Sequence, residues 1–168
     1  PLFESRFDNF NLNYYPNKED ESGINPRKRI TTILKLCREY VIDFNPNSSP
    51  NLLFMGDSGL GKTHLTLAIV SGVIEKGYKV IYGSAYNIFS AIQNEHFSSQ
   101  KGDSYENMIE CDLLVIDDLG AEFSTSFTHS TLYGLINSRI LSGKPTIINT
   151  NLSMTDIEKR LEDILKKE

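Results

Sequence analysis

The chain has 168 residues and a formal net charge of −5, with 39% hydrophobic and 23% charged residues. This suits one globular domain with a core of its own. No apolar run reaches the roughly 20 residues that cross a bilayer, and the acidic balance argues against binding a nucleic-acid duplex by the whole surface.

Residues 1–25 are polar and interrupted, with rings at Phe3, Phe7, Phe10, Tyr14 and Tyr15. They read as an aromatic arm packed onto a core spanning 26–168. There is no signal-peptide core and no initiator Met, so the sequence is expected to be part of a longer chain. Asn25 and Pro26 read as the cap and first residue of a helix, with Ile30, Ile33, Leu34, Cys37 and Val41 on one face. Arg27-Lys28-Arg29 reads as its solvated start. After a loop at 45–50, Leu52–Met55 reads as a buried strand. A helix from Thr63 to about Lys76 follows, with Leu65, Ala68, Ile69 and Val73 on its inner face and Gly77 ending it.

Lys79–Tyr82 reads as a second strand. Ser84 caps a helix with Ile88, Phe89 and Ile92 inward. Residues 94–104 read as a loop, and a short helix near Tyr105–Ile109 leads into the apolar strand Asp112–Asp117. The next helix, Ser126–Leu141, turns Leu132, Leu135, Ile136 and Ile140 inward. Arg139 on it reads as a surface arginine, or as one reaching a neighbouring subunit. Pro145–Thr150 is a fourth strand, and Ser153 caps a last helix holding Ile157, Leu161 and Ile164. Cys37 and Cys111 lie in apolar surroundings outside any metal-spaced pair, and read as buried thiols of a cytoplasmic protein.

Strands alternate with helices, which indicates an α/β layer fold with a mainly parallel sheet and helices on both faces. Ligands of such sheets bind beyond the carboxyl ends of the strands. Three signals fall there. The first is Gly56-Asp57-Ser58-Gly59-Leu60-Gly61-Lys62-Thr63, a phosphate-binding loop between a strand and a helix. Its glycines let successive N–H groups turn inward around phosphate oxygens, and the helix adds its positive end. Lys62 would reach the β- and γ-phosphates, and the Thr63 hydroxyl would bind Mg²⁺.

The second signal is the strand end Asp117-Asp118. Asp117 would hold Mg²⁺, directly or through water, and Asp118 would polarise the attacking water as general base. Glu122 either shares the base role or is a surface acid of the loop. The third is Asn149-Thr150-Asn151, whose side-chain amides can bond a γ-phosphate or the attacking water. Asn149 and Asn151 share a strand parity, so periodicity alone leaves both open.

These segments resemble the AAA+ ATPases of the bacterial helicase-loader group, which takes in the DnaC and DnaI helicase loaders and the IstB-type transposition helpers. The likeness rests on the phosphate loop, on Leu113–Asp118 running into Leu119-Gly120-Ala121-Glu122, and on Pro145–Leu152 with its Thr-Asn-Leu ending. Arg6-Phe7-Asp8-Asn9-Phe10 and Leu135-Ile136-Asn137-Ser138-Arg139 add to it. The resemblance implies a three-layer P-loop fold with sheet order 5-1-4-3-2, and ATP as the nucleotide. It implies Asn151 as the polar sensor. The implied cofactor-binding set is the loop 56–63 with His64, and Phe10 of the arm is a candidate to cover the adenine. It further implies self-association and delivery of a hexameric replicative helicase to single-stranded DNA. The alternative within the group is an IstB-like helper acting with a transposase on duplex DNA. The sequence shows no obvious fifth strand and no segment carrying the arginine that completes a neighbour's site.

Overall fold

The computed structural model describes residues 4–97, 102–120 and 125–165. The elements alternate as expected: α1 (Pro26–Ile42), β1 (Leu52–Met55), α2 (Lys62–Glu75), β2 (Val80–Ser84), α3 (Ala85–Phe97), α4 (Ser104–Glu110), β3 (Leu113–Leu119), α5 (Ser126–Leu141), β4 (Thr146–Thr150) and α6 (Met154–Leu165). Among the described residues no helix is long and apolar enough to cross a membrane. The chain divides into two compact units. One takes in the arm, α1 and the helix from Thr63 to Gly77; the other runs from Asn45 to Lys62 and from Tyr78 onward.

In the first unit, the Asn25 side chain accepts from the Lys28 N–H at 3.0 Å, and Pro26 sits where its missing N–H costs nothing. Ile30, Leu34 and Cys37 form the buried stripe of α1. The arm folds into two 3-10 turns, Phe7–Asn9 and Leu12–Tyr14. It is held to α1 by Arg27 donating to the Tyr15 carbonyl at 2.9 Å, and by Arg38, which pairs with Asp8 and lies over the Phe7 ring. Arg27 therefore serves the arm, although the basic cluster reads as solvated in the sequence.

α2 departs from its expected single face. Residues Leu65 to Ser71 are buried without a break, as is Val73. Buried Thr66 and Ser71 break no pattern of apolar spacing, so periodicity understates how deeply this helix sits. A Cβ on Gly72 would come 2.6 Å from Val41 Cγ1, so α1 and α2 approach as closely as a glycine allows. Lys76 Nζ donates to the Val41 carbonyl at 2.6 Å, closing the C-terminal turn of α1. Gly77, at φ +88°, ends α2.

In the second unit, among the described residues, four strands are parallel in the order β1-β4-β3-β2, which is the expected order less its fifth strand. β1 is at the edge of this sheet, and Leu53 and Met55 are about half exposed, so the expectation of a buried strand is corrected. β3 is central and buried on both faces from Leu113 to Asp117. Leu114, Ile116 and Leu119 pack into one cluster with Ile88, Phe89 and Ile92 of α3, Met108 of α4, and Leu132 and Leu135 of α5. Helix α3 runs to Phe97, four residues into the expected loop. Ile140 is 55% exposed rather than inward.

The inward residue of that turn is Arg139, which is fully buried. Its guanidinium donates to the carbonyls of Met108, Ile109 and Cys111 at 2.7 to 3.0 Å, to that of Pro145 at 2.6 Å, and to the Thr146 hydroxyl at 2.9 Å. The surface and cross-subunit readings are thus both corrected. Arg139 satisfies the last carbonyls of α4, where a cation also suits the helix end.

Candidate nucleotide-binding site

β1 pairs with β4, so the loop that starts at Gly56 leaves the sheet beside the end of β4. Gly56, Gly59 and Gly61 have φ of +139°, +82° and +84°, conformations that L side chains rarely adopt. A Cβ at Gly56 would also press on Leu60 at 3.1 Å. Turns at these three glycines let backbone N–H groups of the loop face an anion, so the residues present fit a phosphate group. Lys62 Nζ donates to the carbonyls of Gly56 at 2.6 Å and Asp57 at 2.9 Å, folding back over the loop it follows. Asp57, Ser58, Gly59 and Leu60 are exposed, and Thr63 in the first turn of α2 is exposed too.

β4 lies between the strand that delivers the loop and the strand that delivers the acids, the placement implied by the resemblance. Asp117 is 6% exposed. Its Oδ1 accepts from Asn149 Nδ2 at 2.8 Å and from the Asp118 N–H at 3.0 Å. Its Oδ2 accepts from the Tyr82 hydroxyl at 2.5 Å. Burial, followed by this bond and the carboxylate charge, pushes the Tyr82 phenol well above its ordinary value. Asp118 is exposed and has φ +54°. Ile116 pairs with Ile148 and Leu119 with Thr150, so β3 carries one extra residue against β4 here, a bulge, while its pairing with β2 stays regular through Asp117.

Asn149, fully buried, is the amide brought to Asp117; Asn151 follows the end of β4 and is exposed. Phe10 meets the His64 ring edge-on at 5.2 Å and stacks on Tyr15 at 5.9 Å, while His64 Nε2 lies 2.9 Å from the Arg6 carbonyl. In this structure Phe10 and His64 join the arm to α2. Glu122 lies outside the described residues. Sequence reasoning passed over Tyr82. Its one signal is an aromatic ring with a polar tip on a strand, and a partner for that tip appears only once the β2–β3 register is known.

This arrangement, a glycine loop before a helix with acids and an amide on neighbouring strand ends, defines a P-loop protein of the AAA+ type. Residues 33–166 match the family model described as IstB-like ATP binding protein, and the chain belongs to that family. It is 30% identical over 132 residues to the replicative helicase loader DnaC of Escherichia coli (strain K12), covering 76% of this chain and 53% of that protein. It is 27% identical over 105 residues to a putative ATP-binding protein in an insertion sequence of Mycobacterium tuberculosis, covering 62% of this chain and 42% of the relative. The chain therefore spans about half the length of these relatives. The fold matches the crystal structure of the DnaC helicase loader with a TM-score of 0.74 at 23% identity, over 99% of this chain and 87% of that one.

Proposed function

We propose that the chain is the ATPase core of a helicase loader, which binds and hydrolyses ATP while delivering a hexameric replicative helicase to single-stranded DNA. The observation that carries the nucleotide reading is the loop 56–61, whose three left-handed glycines precede Lys62. Lys62, which donates to two loop carbonyls, would reach the β- and γ-phosphates of a bound nucleotide. Thr63 and Asp117 are the residues that would hold Mg²⁺, which would offset charge on those phosphates. Asp118 accepts the proton of the attacking water, with Glu122 as a second candidate base. Asn149 holds Asp117, and Asn151 is the candidate sensor of the γ-phosphate. Phe10 and His64 are candidates to border the base. Self-association would bring a neighbour's arginine, typically worth about 10³–10⁵ in rate, so the isolated chain hydrolyses slowly.

The relatedness to a replicative helicase loader supports this partner. The family description and the insertion-sequence relative support a second reading, a helper ATPase acting with a transposase on duplex DNA. Equilibrium ATP binding with Mg²⁺ tests the nucleotide reading. Lys62→Ala should abolish it, and unchanged affinity would reject it. Pull-downs with a replicative helicase and with a transposase then separate the two partners.

A further inference from the structure

We infer that Tyr82 is a positioning residue for the carboxylate of Asp117, holding it in the orientation that receives Mg²⁺. The inference rests on the ATPase reading above. Tyr82 is opposite Val115, and Ser84 is opposite Asp117, in the parallel β2–β3 register. Tyr82 and Ser84 are two residues apart, so they share a face, as do Val115 and Asp117. The phenol therefore reaches diagonally along that face to Asp117 Oδ2, while Asn149 grips Oδ1 from β4. Donors from both neighbouring strands fix one buried carboxylate. A carboxylate held this way is ordered before any cation arrives, whereas one held from a single side must still be ordered on binding. Hydrogen bonds behind a metal ligand commonly set metal affinity in this manner.

The role belongs to the hydroxyl. Tyr82 is 37% exposed, so its ring is no deep core filler, and Tyr82→Phe keeps the ring while deleting the bond. Strand β2 carries no recognised motif, and only the register makes the contact legible.

The test measures the Mg²⁺ concentration that half-saturates ATP binding, in the full chain and in Tyr82→Phe. ATP binding in EDTA is recorded for both. The expected result is a rise of about 10–100-fold in half-saturating Mg²⁺, with ATP binding in EDTA unchanged. An unchanged Mg²⁺ requirement overturns the inference alone. So does an equal loss in EDTA, which marks a merely structural role. Absence of Mg²⁺-supported ATP binding in the unsubstituted chain overturns the ATPase reading, and the inference falls with it.

Discussion

Asn149 Nδ2 donates to Asp117 Oδ1 at 2.8 Å between β4 and β3, and both side chains are almost wholly buried. A hydrogen bond to a carboxylate in such a place cannot be replaced by water. Asn149→Ala should cost about 1.5–3 kcal/mol of stability. Urea unfolding reads this directly, and a loss under about 0.5 kcal/mol would show that the bond contributes nothing net.

Asp118 holds a left-handed backbone at φ +54°, which Asp tolerates and β-branched residues resist. Asp118→Val should therefore destabilise by about 1–2 kcal/mol, while Asp118→Gly changes stability little. Comparing the two unfolding midpoints removes the lost carboxylate from the comparison, since both variants lack it. Equal stability of the two would contradict a strained conformation at this bulge.

Gly72 lies where a Cβ would collide with Val41 Cγ1 at 2.6 Å. Alanine gains roughly 1 kcal/mol of helix propensity over glycine, but overpacking costs about 1–3 kcal/mol. Gly72→Ala should be net destabilising, and Val41→Ala in the same chain should recover part of the loss. A double-mutant cycle with no coupling between the two sites would rule out the clash.

Burial pushes the Cys37 thiol up to about 11 from its ordinary 9.0. The folded state thus keeps a proton that the unfolded state gives up more readily. The resulting stability is fully present below about pH 9 and is lost as pH rises toward about 11. Unfolding measured from pH 8 to 11 should show this decline, and Cys37→Ala should flatten it. Native-state labelling by a thiol reagent at pH 8 should be slow, because the reactive thiolate is suppressed.

The elements most legible in the sequence were those with local chemistry. Asn25-Pro26 opened α1, Gly77 closed α2, and Ser153 opened α6 through reciprocal bonds with Asp156. The phosphate loop was legible because its glycines act on their own backbone. Arg139 was not, since an arginine on a helix usually marks solvent, and its carbonyl partners lie 28 to 31 residues away at α4 and 6 away at Pro145. Parity left Asn149 and Asn151 equivalent. What brought Asn149 to Asp117 was the pairing of Ile116 with Ile148. The bulge at Asp118 was equally hidden, for it exists only as a mismatch between two strands.

The buried guanidinium of Arg139 ties together the end of α4, the entry to β3, the start of β4 and its own helix α5. No one of these segments can detach without stranding a charge and several carbonyls in an apolar interior. Their amides should consequently exchange with solvent deuterium in a single cooperative event. A cation counted as surface charge in the sequence would then set how much of the sheet must melt at once.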